Sequence, residues 1–273
     1  MSKQKHFGKC ALCGKECELT FEHIPPKAAF NKYPAKFVTG DTLLRKRKRL
    51  PWDVKGLPYL NLQQGAGLHT LCSTCNNNTG SWYGDSYISI AHIVQRVLSQ
   101  DLPPDKNALV IKNAYPLRFI KQIVSMFCSV NPNIDIDELR QFVCNKDRVG
   151  IDKSKYRIHM YFTRSSMRKI APFSVKVLTG NGLFLSSGIS EITVPPMGFI
   201  LYFDPSENTP YDGFDISGFA DCKFDDIAEL QFPLCVLEVN GLFPTDFRSK
   251  EEIIQTIEEN EKWKKEHESE ENI

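Results

Sequence analysis

Cys10-Ala-Leu-Cys13 and Cys72-Ser-Thr-Cys75 are two Cys-x-x-Cys pairs separated by 58 residues, and Leu19-Thr-Phe-Glu-His-Ile-Pro-Pro26 runs between them. In each pair a tight turn after the first cysteine brings both thiolates to one side, so two pairs fill a tetrahedral shell around Zn²⁺. Four sulfurs leave no open coordination position, and the expected metal is structural rather than catalytic. The chain has nine cysteines, an odd number, and this spacing suits a metal better than a disulfide framework. Ordinary core cysteines or a redox pair would not explain why both pairs lie in the segment least able to build a core. Up to about residue 80 the chain is turn-rich, with short apolar runs broken by Pro and Gly. Cys17, a fifth cysteine in this region, reads as a bystander.

Outside that segment the composition is that of an ordinary globular protein, with 273 residues, 41% hydrophobic, 25% charged and 11% aromatic. No apolar run is long enough to span a membrane. The N-terminal MSKQKHFGKC lacks the apolar stretch and cleavage site of a secretory signal, so the expected compartment is the cytoplasm. The net charge of +1 conceals a division. Residues 1–100 carry fourteen Lys and Arg against six Asp and Glu, a net of +8, and residues 101–273 carry twenty against twenty-seven, a net of −7. Only the first part is therefore expected to meet a polyanion such as nucleic acid. Its densest stretch is Arg45, Lys46, Arg47, Lys48 and Arg49, which reads as a phosphate-contacting strand or loop, as a solvated loop, or as a localisation signal.

Period and punctuation give the rest. Tyr83, Tyr87, Ile90, Val94, Val97 and Leu98 recur at helical spacing, with Ser81 as N-cap and Pro103-Pro104 as the stop. Further helices are expected from Leu117 to Val130, from Ile136 to Asn145 and from Ser249 to His267, with an acidic tail after the last. Strands are expected at Tyr156–Thr163, Phe173–Leu178, Gly182–Leu185, Phe199–Phe203 and Leu234–Val239, forming an antiparallel sheet. The domain boundary is expected near residues 101–115.

In its order of parts the N-terminal segment resembles the HNH endonuclease family in its zinc-bearing form. The parts are a cysteine pair, Glu22-His23-Ile-Pro-Pro26, a second cysteine pair, and Asn at the start of a helix, over about residues 8–90. The resemblance implies an α+β protein. Residues 1–100 would be a zinc-stapled ββα-metal (HNH/treble-clef) module, followed by an acidic α+β domain, residues 101–273, with a regulatory or specificity role. It implies that His23 is the general base activating water, and that Glu22 and Asn77, with Asn76 as runner-up, hold a catalytic Mg²⁺ or Mn²⁺. Arg45, Lys46, Arg47, Lys48 and Arg49 would hold the DNA backbone. The implied activity is metal-dependent hydrolysis of DNA phosphodiester bonds, RNA being the less favoured substrate, in phage defence, restriction or a mobile element. A protein partner or a second copy would dock on the C-terminal domain. The alternative is a zinc-binding nucleic-acid or protein adaptor that has lost catalysis. Two departures from the family pattern support it: Asn76 stands where many members have His, and Gly67 stands where many have the Asn that ties down the loop behind the catalytic His. Asn61 is a residue that could substitute for that Asn in space, though nothing in the sequence points to it. His69, Tyr83 and Asp85 are read as structural.

Overall fold

The computed structural model describes residues 5–45, 50–100, 107–180 and 183–267. Lys46–Arg49, Pro103-Pro104, Gly182 and the acidic tail beyond His267, all named above, lie outside the described residues.

The chain opens with β1 (His6–Lys9) and β2 (Glu16–His23), which pair antiparallel with His6 opposite Leu19 and Lys9 opposite Glu16. The turn between them carries Cys10 and Cys13 and closes through the Gly14 N–H on the Cys10 carbonyl at 2.9 Å, with Gly14 at φ +71°. A long excursion follows, holding the small pair β3 (Ala35–Phe37) and β4 (Leu60–Leu62) around the short helix α1 (Gly40–Leu44). The chain returns as β5 (Gly67–Cys72), which pairs with β2 so that His23 faces Gly67 and Leu19 faces Cys72. Next comes α2 (Ser73–Thr79), capped by the Cys72 sulfur, which accepts from the Cys75 N–H. A π-helical turn at Gly80–Gly84 joins it without a break to α3 (Asp85–Leu98). The helix therefore starts at Ser73, not after Ser81, because the capping group is Cys72 and the wide turn merely interrupts the apolar spacing.

The remainder begins with β6 (Ala108–Ala114), α4 (Pro116–Val130) and α5 (Asp137–Cys144). Three long strands of the main sheet follow, β7 (Tyr156–Phe162), β8 (Lys169–Gly180) and β9 (Leu183–Val194), and then β10 (Met197–Phe203) and the short β11 (Phe214–Asp215). The order across that antiparallel sheet is β11-β7-β10-β9-β8. The last strand, β12 (Ala228–Pro233), pairs with β6, and α6 (Lys250–His267) ends the described chain. The protein is thus mixed α+β with antiparallel sheets. The strand expected at Leu234–Val239 is absent apart from a single bridge between Val236 and Phe162.

α4 is buried along its whole length except at Arg118, and the polar stripe it carries, Lys121, Gln122, Ser125 and Ser129, is buried with its apolar face. Around it the core is continuous. Leu12, Leu71 and Tyr87 from the first hundred residues share one cluster with Phe119, Phe127 and Phe199 from the rest, so the expected boundary is not a seam in the packing. Polar ties cross it as well. The Tyr83 hydroxyl donates to the Val143 carbonyl at 2.7 Å, and Arg140 Nε donates to the Ala11 carbonyl in the Cys10–Cys13 turn at 3.0 Å. The same guanidinium holds the Pro132 and Ile134 carbonyls and Asp137. Removing it leaves half-buried carbonyls without donors, and lysine cannot reproduce the fork. Arg140→Ala and Arg140→Lys should each lower stability by roughly 2–4 kcal/mol in denaturant titration, whereas an ordinary exposed arginine would show almost nothing.

Candidate metal centre and the face of the N-terminal sheet

The β1–β2 turn and the N-terminus of α2 bring four sulfurs together. The ligand atoms of Cys10, Cys13, Cys72 and Cys75 all lie within 4.8 Å of one another, and Cys13 Sγ is 3.9 Å from Cys72 Sγ. Zn–S bonds of about 2.3 Å in a tetrahedron put sulfurs roughly 3.8 Å apart, so the set fits one zinc ion with little adjustment. Backbone donors point at two of the sulfurs: the Cys72 N–H reaches Cys10 Sγ at 3.3 Å and the Cys75 N–H reaches Cys72 Sγ at 3.4 Å. A hydrogen bond from Cys75, helped by the Cys72 N–H, draws the Cys10 thiol down to about 4, and the same shared proton pushes Cys75 up. That proton is the one a divalent ion displaces. Cys17 stays outside the cluster with its thiol on the Lys15 carbonyl.

Directly after this staple, the end of β2 splits its side chains between two faces, as a strand of period two requires. Glu22 points inward and is 4% exposed, accepting a hydrogen bond from the Ser129 hydroxyl of α4. Burial raises its carboxyl to about 8, so it is neutral at pH 7. Phe21 and His23 share the other face with ring centroids 5.0 Å apart. His69 joins them at 5.3 Å from Phe21, and His6 stacks on His69 at 3.8 Å. His23 Nε2 lies 3.1 Å from the Gln64 carbonyl. Burial lowers the His23 pKa more than that carbonyl raises it, with the Lys27 charge adding to the lowering. Burial and then the neighbouring His6 lower His69.

The structure does not bring Glu22 and Asn77 to one point beside His23. Glu22 is turned into the core and protonated, while Asn77 lies exposed on α2. Asn76 is spent on structure, its amide donating to Thr20 Oγ1 at 3.0 Å and to the Phe21 carbonyl at 3.1 Å. Among the described residues the four cysteines are the one group of three or more His, Cys, Asp and Glu whose ligand atoms converge. Glu22 as placed does not fit a catalytic divalent ion. Of the basic run only Arg45 is described, exposed and paired with Asp41 at 2.9 Å. Tyr83 is fully buried with its hydroxyl on the Val143 carbonyl, and Asp85 is exposed in the first turn of α3.

The tie behind His23 is Asn31, which the sequence reading missed. Wholly buried, it donates to the Pro25 and Ala66 carbonyls, both at 2.7 Å, and accepts from the Ala66 N–H at 2.8 Å. It thereby locks the chain leaving β2 to the chain entering β5. Asn61, named above as able to substitute in space, sits exposed on β4 opposite Lys36. Gly67 is explained by close approach: a Cβ there would meet the Glu22 carbonyl at 2.2 Å and Phe21 Cζ at 2.6 Å. Comparison with known protein families, with curated proteins and with solved structures finds no match for this chain.

Two outcomes test this geometry. Purified protein should release one zinc per chain on thiol modification, and Cys72→Ser or Cys10→Ser should lose both the metal and cooperative unfolding. For Glu22 the folded pKa exceeds the unfolded one, so between about pH 4.5 and 8 the native state keeps a proton that the unfolded chain gives up, and stability falls as pH rises across that window. Glu22→Gln mimics the protonated form and should stabilise by on the order of 2–3 kcal/mol at pH 7, with the gain vanishing near pH 4; an equal effect at both pH values rules out the buried neutral carboxyl.

Proposed function

We propose that this chain is a nuclease of HNH type that hydrolyses DNA phosphodiester bonds, with His23 as the base that activates water. The observation that carries the reading is the contact between His23 Nε2 and the Gln64 carbonyl at 3.1 Å. A carbonyl can only accept, so Nε2 holds the proton and the neutral ring presents its lone pair at Nδ1. Burial lowers the pKa of the ring, which keeps that lone pair available at neutral pH. When Nδ1 takes a proton from water, the Gln64 carbonyl stabilises the positive ring that forms. The +8 charge of residues 1–100 supplies the attraction for a polyanion.

The resemblance also implies Mg²⁺ or Mn²⁺, which supplies Lewis-acid stabilisation of phosphoryl charge when bound. Glu22 does not fit as its ligand, and no step is assigned through it. That misfit favours the second reading, a zinc-stapled adaptor that keeps the fold and binds nucleic acid or protein without cutting. The setting that goes with the first reading is phage defence, restriction or a mobile element.

Nicking of supercoiled plasmid, with Mg²⁺, Mn²⁺ or chelator, separates the two. Zinc-loaded His23→Ala should lose about 10²–10⁴-fold in rate, while the wild-type rate should rise with pH through a midpoint below the ordinary histidine value, since deprotonation creates the base. Plasmid binding without cleavage by the wild type, under every metal condition and with RNA as well, means the adaptor.

A further inference from the structure

A groove of about 1010 Å³ opens between the excursion inside the zinc loop and the start of β8 with the 241–244 turn. Its walls carry an unusual share of exposed rings. Phe37, Tyr59, Phe173 and Phe243 are 36%, 50%, 38% and 57% exposed, and all four line this one groove. Apolar surface of that kind in a concavity marks a ligand site more often than an accident of folding.

Its charge is one-sided. Lys36, Arg168 and Lys169 line it, and the lining carboxylate, Asp41, is paired with Arg45 at 2.9 Å. Lys169 is neutralised by buried Glu191 at 3.6 Å. Among the described residues no carboxylate pairs with Lys36 or Arg168. Lys36 Nζ sits 4.4 Å from the Tyr59 ring centroid, so a cation and an aromatic face are presented side by side. Arg168, on the opposite wall, spends one donor on the Phe30 carbonyl at 3.2 Å and keeps the rest of a five-donor fork.

We propose that this groove binds a nucleotide, its base on the aromatic walls and its phosphate between Lys36 and Arg168. Flat π-faces beside unpaired cations are what such a ligand needs, and an apolar peptide has no use for the cations. The same chemistry comes as a free nucleotide or as part of a nucleic-acid strand. Nothing in the proposal depends on His23.

The test is calorimetric titration of zinc-loaded full-length His23→Ala protein, in which cleavage is removed, with AMP, ATP, a short single-stranded oligonucleotide and inorganic phosphate. Expected is saturable binding of at least one base-bearing ligand, absent for phosphate alone, and weakened about tenfold by Lys36→Glu and by Tyr59→Ala. Both positions are exposed, and retained zinc and melting temperature confirm the fold of each variant; Phe243→Ala on the opposite wall replaces either that fails. Binding by the mononucleotides identifies a free nucleotide as the ligand, and binding by the oligonucleotide alone identifies a strand. No binding by any base-bearing ligand, or binding that survives the substitutions, overturns the proposal. Because no cleavage is read, a negative result here leaves the nicking assay unaffected.

Discussion

Four sulfurs hold two points of the chain together across the 58 residues between them, and the order of the first hundred residues depends on that constraint. The segment buries few large side chains between Cys10 and Leu71, chiefly Leu12, Ile24 and Leu57, too few to offset the entropy of ordering so long a loop. Structural zinc contributes on the order of 10 kcal/mol to such a site, more than a core of this size supplies. It acts on particular atoms. Cys72 is at once a member of the sulfur cluster and the N-cap of α2, so a metal ion held by the four sulfurs would act on the atom that starts the helix. Asn76, in the next turn, then reaches the Phe21 carbonyl and fixes the helix against β2.

Once β2 is pinned, alternation decides which side chains meet the core. Glu22 goes inward to Ser129 on α4, and His23 goes outward to the Gln64 carbonyl. A charged carboxylate in that interior would cost several kcal/mol, so the group keeps its proton. The basic and acidic parts of the sequence are consequently joined through neutral contacts, Ser129 to Glu22 and Tyr83 to Val143, together with the cationic clamp of Arg140 on carbonyls. Charge division along a chain is not evidence of independent folding units.

What the sequence made legible follows the same physics. The cysteine spacing is local chemistry and reads directly. α4, α5 and α6 read as helices over nearly their full ranges, and β7 and β10 from dense runs of Ile, Phe, Tyr and Met. The pair β6 and β12 was missed because its partners lie over a hundred residues apart and each alone is a short, half-exposed strand. Leu234–Val239 has the alternation of a strand but meets β7 only at Phe162, through the Cys235 carbonyl and the Leu237 N–H, a fact of topology that alternation cannot carry. The facing of Glu22 was equally hidden. Period two fixes that Glu22 and His23 oppose each other, but which of them enters the core is set by α4, a hundred residues further on. Asn31 had no signal at all, since a buried amide that ties three backbone groups looks in sequence like any Asn in a loop.

The charge division still has a consequence in solution. α6 carries many of the C-terminal acids and buries only Ile253, while Lys250 at its start lies 5.4 Å from the Trp52 ring. A helix of 18 residues is roughly 27 Å long, more than twice the Debye length at physiological salt. Charges at opposite ends of it are therefore screened from one another by water and ions. Because α6 holds four lysines among its six glutamates, most of the −7 of residues 101–273 resides elsewhere in the chain. Salt weakens the reach of the exposed charges in both parts of the chain without touching the buried contacts that hold the fold.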